Sequence, residues 1–410
     1  MNDQSENGPD YLKGLNKAQK SAVLSESGPL LILAGAGAGK TKTLTHRILH
    51  LIKEHGTEPR NILAITFTNK AAKEMRERVS SLIENDKTLA RDESYNKPFV
   101  STFHALGVKI LRENSRTLDV PRHFTIYDRS DSISLVKKIM KEIGEDPKRI
   151  EPKNILSIIS KEKGKMKTQK EYESQAGYHY IPEVVSKVWE KYESSLKKEK
   201  AYDFDDLLLE TALLLKNNKE IREQYQNRWK HVHIDEYQDT NEVQYQIAKM
   251  IVGDNNNICV VGDVDQNIYS WRGATIKNIM GFEKDFPNSK LVTLEQNYRS
   301  TGNILEAANT IIKKNTVRHD KNLFTENKSG EKISIYNAFD EGDESRFISE
   351  TVDSLVRSGV DPSEIAVLYR ANFQSRILEE SFLDRGLNYQ VLGTRFFDRK
   401  EVKDLSLIHI

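Results

Sequence analysis

Residues 29–42 read Pro-Leu-Leu-Ile-Leu-Ala-Gly-Ala-Gly-Ala-Gly-Lys-Thr-Lys. The apolar stretch Leu30–Leu33 has strand length. Three alternating glycines follow, then Lys40, Thr41 and a helical pattern. This order describes a phosphate cradle. Glycines let backbone N–H groups turn toward a polyphosphate, and the following helix presents its positive end. Lys40 is placed to reach β- and γ-phosphates, and the Thr41 hydroxyl to ligate Mg²⁺. The strict pattern has glycine where this chain has Ala34. Alanine costs little there if its φ is ordinary.

A second half-site lies far along the chain. Val232-His233-Ile234-Asp235-Glu236 is an apolar strand ending in two acids. Asp235 suits coordination of Mg²⁺ through its outer shell. Glu236 suits orienting and deprotonating an attacking water. Paired with the phosphate loop, the two acids read as a nucleotide-hydrolysis site.

A third stretch follows the apolar run Ile258–Val261. Gln266 can hydrogen-bond a γ-phosphate and the attacking water. Tyr269, Trp271 and Arg272 come directly after it. Aromatics beside a basic residue suit base stacking, worth about 1–3 kcal/mol per base. At another expected strand end, Phe67 suits base stacking, while Thr66, Asn69 and Lys70 suit phosphate contact. Ser101-Thr102-Phe103-His104 has the same character, although His104 taken alone reads as a structural histidine. Arg299, in Gln296-Asn297-Tyr298-Arg299, lies between two expected domains, where an arginine can reach a γ-phosphate as a finger.

Composition sets bounds. The chain has 410 residues, 37% of them hydrophobic and 30% charged, enough for two or three domains with real cores. A formal net charge of +1 leaves nucleic-acid contact to local patches. Cys259 is the only cysteine, so no internal disulfide or cysteine metal cluster can form. It lies in an apolar run and is expected to be a buried strand residue. The first ten residues lack a signal-like pattern, and the longest apolar runs are of strand length. A cytoplasmic protein with no membrane span is the expectation.

Four runs are expected as buried parallel strands: Leu30–Leu33, Ile62–Phe67, Val232–Ile234 and Ile258–Val261. The Lys-rich stretch from Arg116 to Asp203 reads as a helical insertion. Its segment Lys161–Lys170 is expected to be exposed, either as a solvated face or as a DNA-backbone contact. Beyond Arg299, Lys332–Tyr336 and Glu364–Tyr369 read as strands, with a helix from about Asp343 to Arg357 between them.

The ordered set of motifs resembles the UvrD/PcrA/Rep type of superfamily 1 DNA helicase. It comprises Leu15–Gln19, the phosphate loop, Thr66–Ala72, Ser101–His104, Asp203–Asp206, Ile234–Thr240, Gly262–Ala274 and Leu294–Ser300. Val367–Arg370 and Phe396–Glu401 complete it. The resemblance implies an α/β fold: a P-loop NTPase (RecA-like) parallel-sheet motor domain from residues 15–115 and 204–293. A helical insertion occupies 116–203, the start of a second RecA-like domain 294–410, and a flexible N-terminus 1–14. It also implies ATP and Mg²⁺ as ligands, with ATP contacted by Ala34, Gly35, Ala36, Gly37, Ala38, Gly39, Lys40, Thr41 and Lys42. Gln19 would read adenine, Tyr298 would stack on it, and Arg299 would contact the γ-phosphate. Phe67, Tyr269, Trp271 and Phe204 would handle single-stranded bases. Members translocate 3′ to 5′ on single-stranded DNA, so single-stranded DNA, its junctions with duplex and repair or replication loading proteins are the expected partners of a monomer.

Two departures stand out. The family commonly has arginine where this chain has Lys42, and an ammonium offers no flat face to adenine. The stretch Asp404–Ile410 is an abrupt apolar finish, short of the family's later motifs. The expectation from it is a truncated reading frame, or an end introduced in assembly, that binds nucleotide and unwinds poorly. A protein-remodelling translocase and a nucleotide-gated binding module share the same motifs. RNA is excluded by no residue.

Overall fold

A computed structural model describes residues 9–86, 89, 97–175, 177, 179–318 and 320–392. Six strands form one parallel sheet: β1 Leu30–Ala34, β2 Ile62–Thr66, β3 Phe99–Thr102, β6 His231–Ile234, β7 Ile258–Gly262 and β8 Lys290–Leu294. Two short strands, β4 Thr125–Tyr127 and β5 Ala201–Asp203, pair separately. The large sheet runs β3-β2-β6-β7-β1-β8. Pairing is in register at Ile32 with Val261 and Val292, and at Ile65 with Ile234.

Side chains alternate across a strand, so each central strand feeds two cores. Leu31, Leu33, Leu63, Ile65, Val232, Ile234 and Val260 enter one. Leu30, Ile32, Ala34, Ile62, Ala64, Cys259 and Val261 enter the other. Sheets buried on both faces read as continuous apolar runs, which is how the four central strands look in sequence. Cys259 is buried as expected, and burial pushes its thiol up to about 11.

The order β6-β7-β1 sets three carboxyl ends side by side. The phosphate loop, Asp235 and the stretch from Asp263 to Gln266 therefore share one edge. That is where an open parallel sheet binds ligand. Around the sheet lie α1 Lys17–Val23, α2 Lys40–Lys53, α3 Asn69–Glu84 and α4 Phe103–Glu113.

The insertion contains α5 Arg129–Glu142, α6 Pro152–Lys163, α7 Gln169–Gln175 and α8 Tyr180–Lys198, and leads through β5 into α9 Phe204–Asn217. It has its own core, with Val136, Ile139, Ile155, Ile159, Val188 and Trp189 fully buried. Here one expectation fails. Lys163, inside the charged run expected to be exposed, is wholly buried. Its ammonium lies 3.0 Å from Asp203 and 2.6 Å from Asp206. Burial alone would lower its pKa, but the Asp206 and Asp203 carboxylates outweigh that and hold it well above the ordinary value. Lys165 and Lys167 pair with Glu162.

The described residues divide into two compact units, before and after the 331/332 boundary. In the second, the helices Glu341–Arg357 and Ser375–Asp384 pack through Ser349 and Ser381, whose hydroxyls lie 2.8 Å apart. The expected helix is present, but Lys332–Tyr336 and Glu364–Tyr369 form no strands. A strand needs a ladder partner, and neither segment has one among the described residues. Ile335 and Leu368 are exposed, while Tyr336 stacks on Phe347. Residues 396–401 and 404–410 lie outside the described set.

His231 and His233, on β6, supply a pH prediction. Burial first, then the Arg47 charge, lowers His231 to about 4 and His233 well below its ordinary value. The unfolded chain takes up these protons near pH 6.5, the folded chain only at much lower pH. Stability is therefore expected to fall as pH drops from 6.5 toward 4, by at most roughly 3 kcal/mol from His231. Thermal unfolding at pH 7 and pH 5 checks this, with His231→Gln flattening the difference.

Candidate nucleotide and nucleic-acid site

The phosphate loop is built by backbone geometry. Ala34 ends β1 in extended conformation, so its replacement of glycine adds no strain. Gly37 and Gly39 have φ of 69° and 79°, which side chains rarely adopt. Gly39 is also the N-cap of α2, so the loop opens at a helix N-terminus.

Lys40, in the first turn, reaches across to the ends of β6 and β7. Its ammonium lies 2.6 Å from Glu236 Oε2 and donates to Gln266 Oε1 at 3.1 Å. Thr41 Oγ1 donates to Asp235 Oδ2 at 3.2 Å. Glu236 itself has left-handed backbone, φ 51° and ψ 44°. This sparsely populated conformation for a non-glycine residue turns the chain sharply off β6. Burial first, then the neighbouring Glu236 charge, raises Asp235 to about 6.

For Mg²⁺, Thr41 and Asp235 offer converging hard oxygen donors. Such a pair suits a cation that keeps much of its coordination for water and phosphate. Among the described residues no group of three or more His, Cys, Asp or Glu forms a metal cage.

The residues expected at adenine come from two distant segments. Asn16 caps α1 in a capping box with Gln19. Gln19 is buried, and its Nε2 donates to Ala38 O at 3.0 Å. Its Oε1 accepts the Asn16 N–H at 3.0 Å. A side-chain amide carries two N–H donors and two acceptor lone pairs, so these two bonds do not exhaust it. Asn16 Nδ2 donates to Tyr298 Oη at 2.8 Å, and Lys42 Nζ donates to Gly14 O at 2.8 Å. Tyr298 stays half exposed.

The segment carrying Arg299 is pinned to the loop. Asn297 Nδ2 donates to Ala36 O at 2.7 Å, and the Tyr298 N–H donates to Gly37 O at 3.0 Å. Asn297 Oδ1 accepts the Arg299 N–H at 2.9 Å. The Arg299 side chain is exposed.

Aromatic groups border the same edge. The Phe67 and Tyr269 rings lie 4.6 Å apart, and Tyr269 and Trp271 6.4 Å apart. Trp271 is 74% exposed, unusual for tryptophan and apt for stacking. His104 meets Phe204 edge-on at 5.8 Å, with Phe204 half exposed. Asn69 and Lys70 open α3 on the surface beside Phe67. The Arg272 side chain lies outside the described ones.

The sequence as a whole matches one known lineage. Residues 15–287 match the UvrD/REP helicase N-terminal domain, and residues 292–409 the UvrD-like helicase C-terminal domain. The chain belongs to the UvrD/Rep helicase family. It is 47% identical over 396 residues to the ATP-dependent DNA helicase PcrA of Bacillus subtilis, covering 96% of this chain and 52% of that protein. Proteins of the same name from Staphylococcus epidermidis and Staphylococcus aureus are 45% and 44% identical over 395 residues, with 96% of this chain and 53% of each covered. The chain thus spans about half the length of the relatives it matches.

Sequence reasoning misses three polar supports in this helicase-family chain. Gln238 donates to Glu236 Oε2 at 2.9 Å and accepts the Asp263 N–H at 3.0 Å, tying the two strand ends together. Asn16 and Asn297 stand out in sequence only as parts of longer motifs. Each acts through contacts remote in sequence, so no local pattern marks it. Among the described residues, no helix is long and apolar enough to cross a membrane.

Proposed function

We propose that this chain binds ATP with Mg²⁺ between the phosphate loop and the β6 acids, and hydrolyses it in response to single-stranded DNA. The observation that carries the reading is the Lys40–Glu236 and Lys40–Gln266 contact pair, at 2.6 and 3.1 Å. A phosphate-binding lysine, a general base and a water-orienting amide already converge on one point.

ATP phosphates would draw Lys40 from Glu236 and leave that carboxylate open to an attacking water. Glu236 accepts the water's proton, and Gln266 orients the water. Arg299 would meet charge on the γ-phosphate. Bound Mg²⁺ would offset phosphate charge from Thr41 and Asp235. Gln266 lies three residues before Tyr269 on one short segment, so phosphate loss couples to base stacking through a named element.

The finer reading is a 3′ to 5′ translocase and helicase in DNA repair or replication, working as a cytoplasmic monomer at junctions and with loading proteins. Residues 294–410 are its second motor domain, which the C-terminal family match from 292 supports. Gln19, Lys42 and Tyr298 form the adenine end. Phe67, Asn69, Lys70, His104, Phe204, Tyr269, Trp271 and Arg272 form the DNA track.

Trp271→Ala tests the track. It is expected to weaken binding of an oligothymidylate by about 1–3 kcal/mol, with ATP affinity unchanged. Unchanged DNA affinity, measured by fluorescence anisotropy, would contradict the assignment.

A further inference from the structure

Behind Gln266, four charged side chains are buried together. Asp263 and Asp265 are 3% and 5% exposed, Lys321 and Arg318 6% and 11%. Lys321 pairs with Asp263 and lies 3.0 Å from Asp265. Arg318 lies 3.2 Å from Asp265. Both cations follow the helix Gly302–Ile312, and Arg318 Nη1 donates to Ile312 O at 3.1 Å. They belong to the stretch matched by the C-terminal domain, and the acids to the stretch matched by the N-terminal domain.

A side-chain hydrogen bond joins the cluster to Gln266. Gln266 Nε2 donates to Asp263 Oδ2 at 2.5 Å. Gln266 Oε1 accepts from Lys40 at 3.1 Å. An unbroken line therefore runs from Lys40 through Gln266 and Asp263 to Lys321. A glutamine amide has one donating and one accepting end, close to equal in shape. A carboxylate only accepts, and an ammonium only donates. Asp263 thus selects the orientation with the amide nitrogen turned away from the phosphate loop and the carbonyl oxygen turned toward it. Once Lys40 turns to phosphate, Asp263 remains to hold that choice. A carboxylate this buried needs a partner cation, which Lys321 supplies.

We propose that Lys321, supported by Arg318, is a positioning residue. Through Asp263 it makes Gln266 present its carbonyl oxygen to the attacking water, and it fixes the start of the segment bearing Tyr269 and Trp271. The inference rests on the ATP-hydrolysis reading of the site.

The test uses the 410-residue chain, Lys321→Met, and Lys321→Met combined with Asp263→Asn. The readouts are kcat and KM for ATP with saturating oligothymidylate, and thermal unfolding. Lys321→Met is expected to lower kcat about tenfold or more, with KM within about threefold. The double variant leaves no lone buried charge at this pair and is expected to regain stability. Its kcat stays low, because an asparagine amide in place of the Asp263 carboxylate offers both a donor and an acceptor, and Gln266 can turn over. If kcat returns with stability in the double variant, the cluster only holds the fold and the proposal falls. Unaltered kcat in Lys321→Met overturns it equally. No DNA-stimulated hydrolysis by the unsubstituted chain would instead overturn the reading of the site, and this inference with it.

Discussion

Glu236→Gln is expected to lower ATP hydrolysis by about 10²–10⁴-fold while nucleotide still binds. The side chain sits 2.6 Å from Lys40 and accepts from Gln238 at 2.9 Å. Glutamine keeps the shape and can still accept from both donors, so the loop should keep its place. What it loses is the ability to take a proton from water. Removing this negative charge also relieves repulsion of incoming phosphates, so affinity is expected to hold or rise. Asp235 gives a second readout. Part of its rise to about 6 comes from Glu236, after burial, so the substitution should bring it down. Single-turnover hydrolysis beside fluorescent-nucleotide binding separates the two effects. Loss of binding equal to the loss of rate would mean that Glu236 supports the fold of the loop rather than the chemistry.

Arg299→Ala is expected to cost about 10³–10⁵ in kcat, the range for an arginine finger. The geometry around its backbone supports this. Asn297 binds Ala36 O with one end and the Arg299 N–H with the other. The Tyr298 N–H holds Gly37 O at 3.0 Å. Arg299 is therefore fixed beside the phosphate loop by its main chain, with an exposed side chain that makes no ion pair among the described residues. An arginine kept for a structural salt bridge would cost stability when removed. This one is expected to cost kcat and leave the unfolding temperature unchanged. Arg299→Lys should rescue little, because an ammonium lacks the planar fork that meets phosphate oxygens in pairs.

The half of the candidate site built from the loop and the strand-end acids is readable because it is encoded locally. Strand, glycines and Lys40-Thr41 lie in one run, and Asp235-Glu236 ends another. Buried central strands announce themselves by unbroken apolar runs, and all four expected ones are present. In the edge strand Phe99–Thr102 the buried Ser101 and Thr102 break the apolar run, and in Lys290–Leu294 the less buried Lys290 and Thr293 do, so no such run marks them. The opposite error arises after residue 331. There, alternating apolar residues at Lys332–Tyr336 and Glu364–Tyr369 suggest strands, but a strand pattern without a ladder partner does not fix a strand.

Lys163 shows the other limit of local reading. Its neighbours in sequence include several lysines, so it looks solvated. Its partners Asp203 and Asp206 lie on the far side of the insertion, and only the fold brings them to 3.0 and 2.6 Å. Gln238, Asn297 and Lys321 are hidden for the same reason. A single polar residue has no periodicity, and its role emerges only when the strand ends meet.

Nucleotide hydrolysis and DNA contact are expected to be joined in this chain through the segment from Gln266 to Trp271. Steady-state ATP hydrolysis, titrated with oligothymidylate, tests it most directly. Slow hydrolysis without DNA and a saturable, many-fold stimulation with it are expected. Trp271→Ala should move half-saturation to higher DNA concentration, and Glu236→Gln should abolish the stimulation. ATP binding with a flat, near-zero rate at every DNA concentration would contradict it.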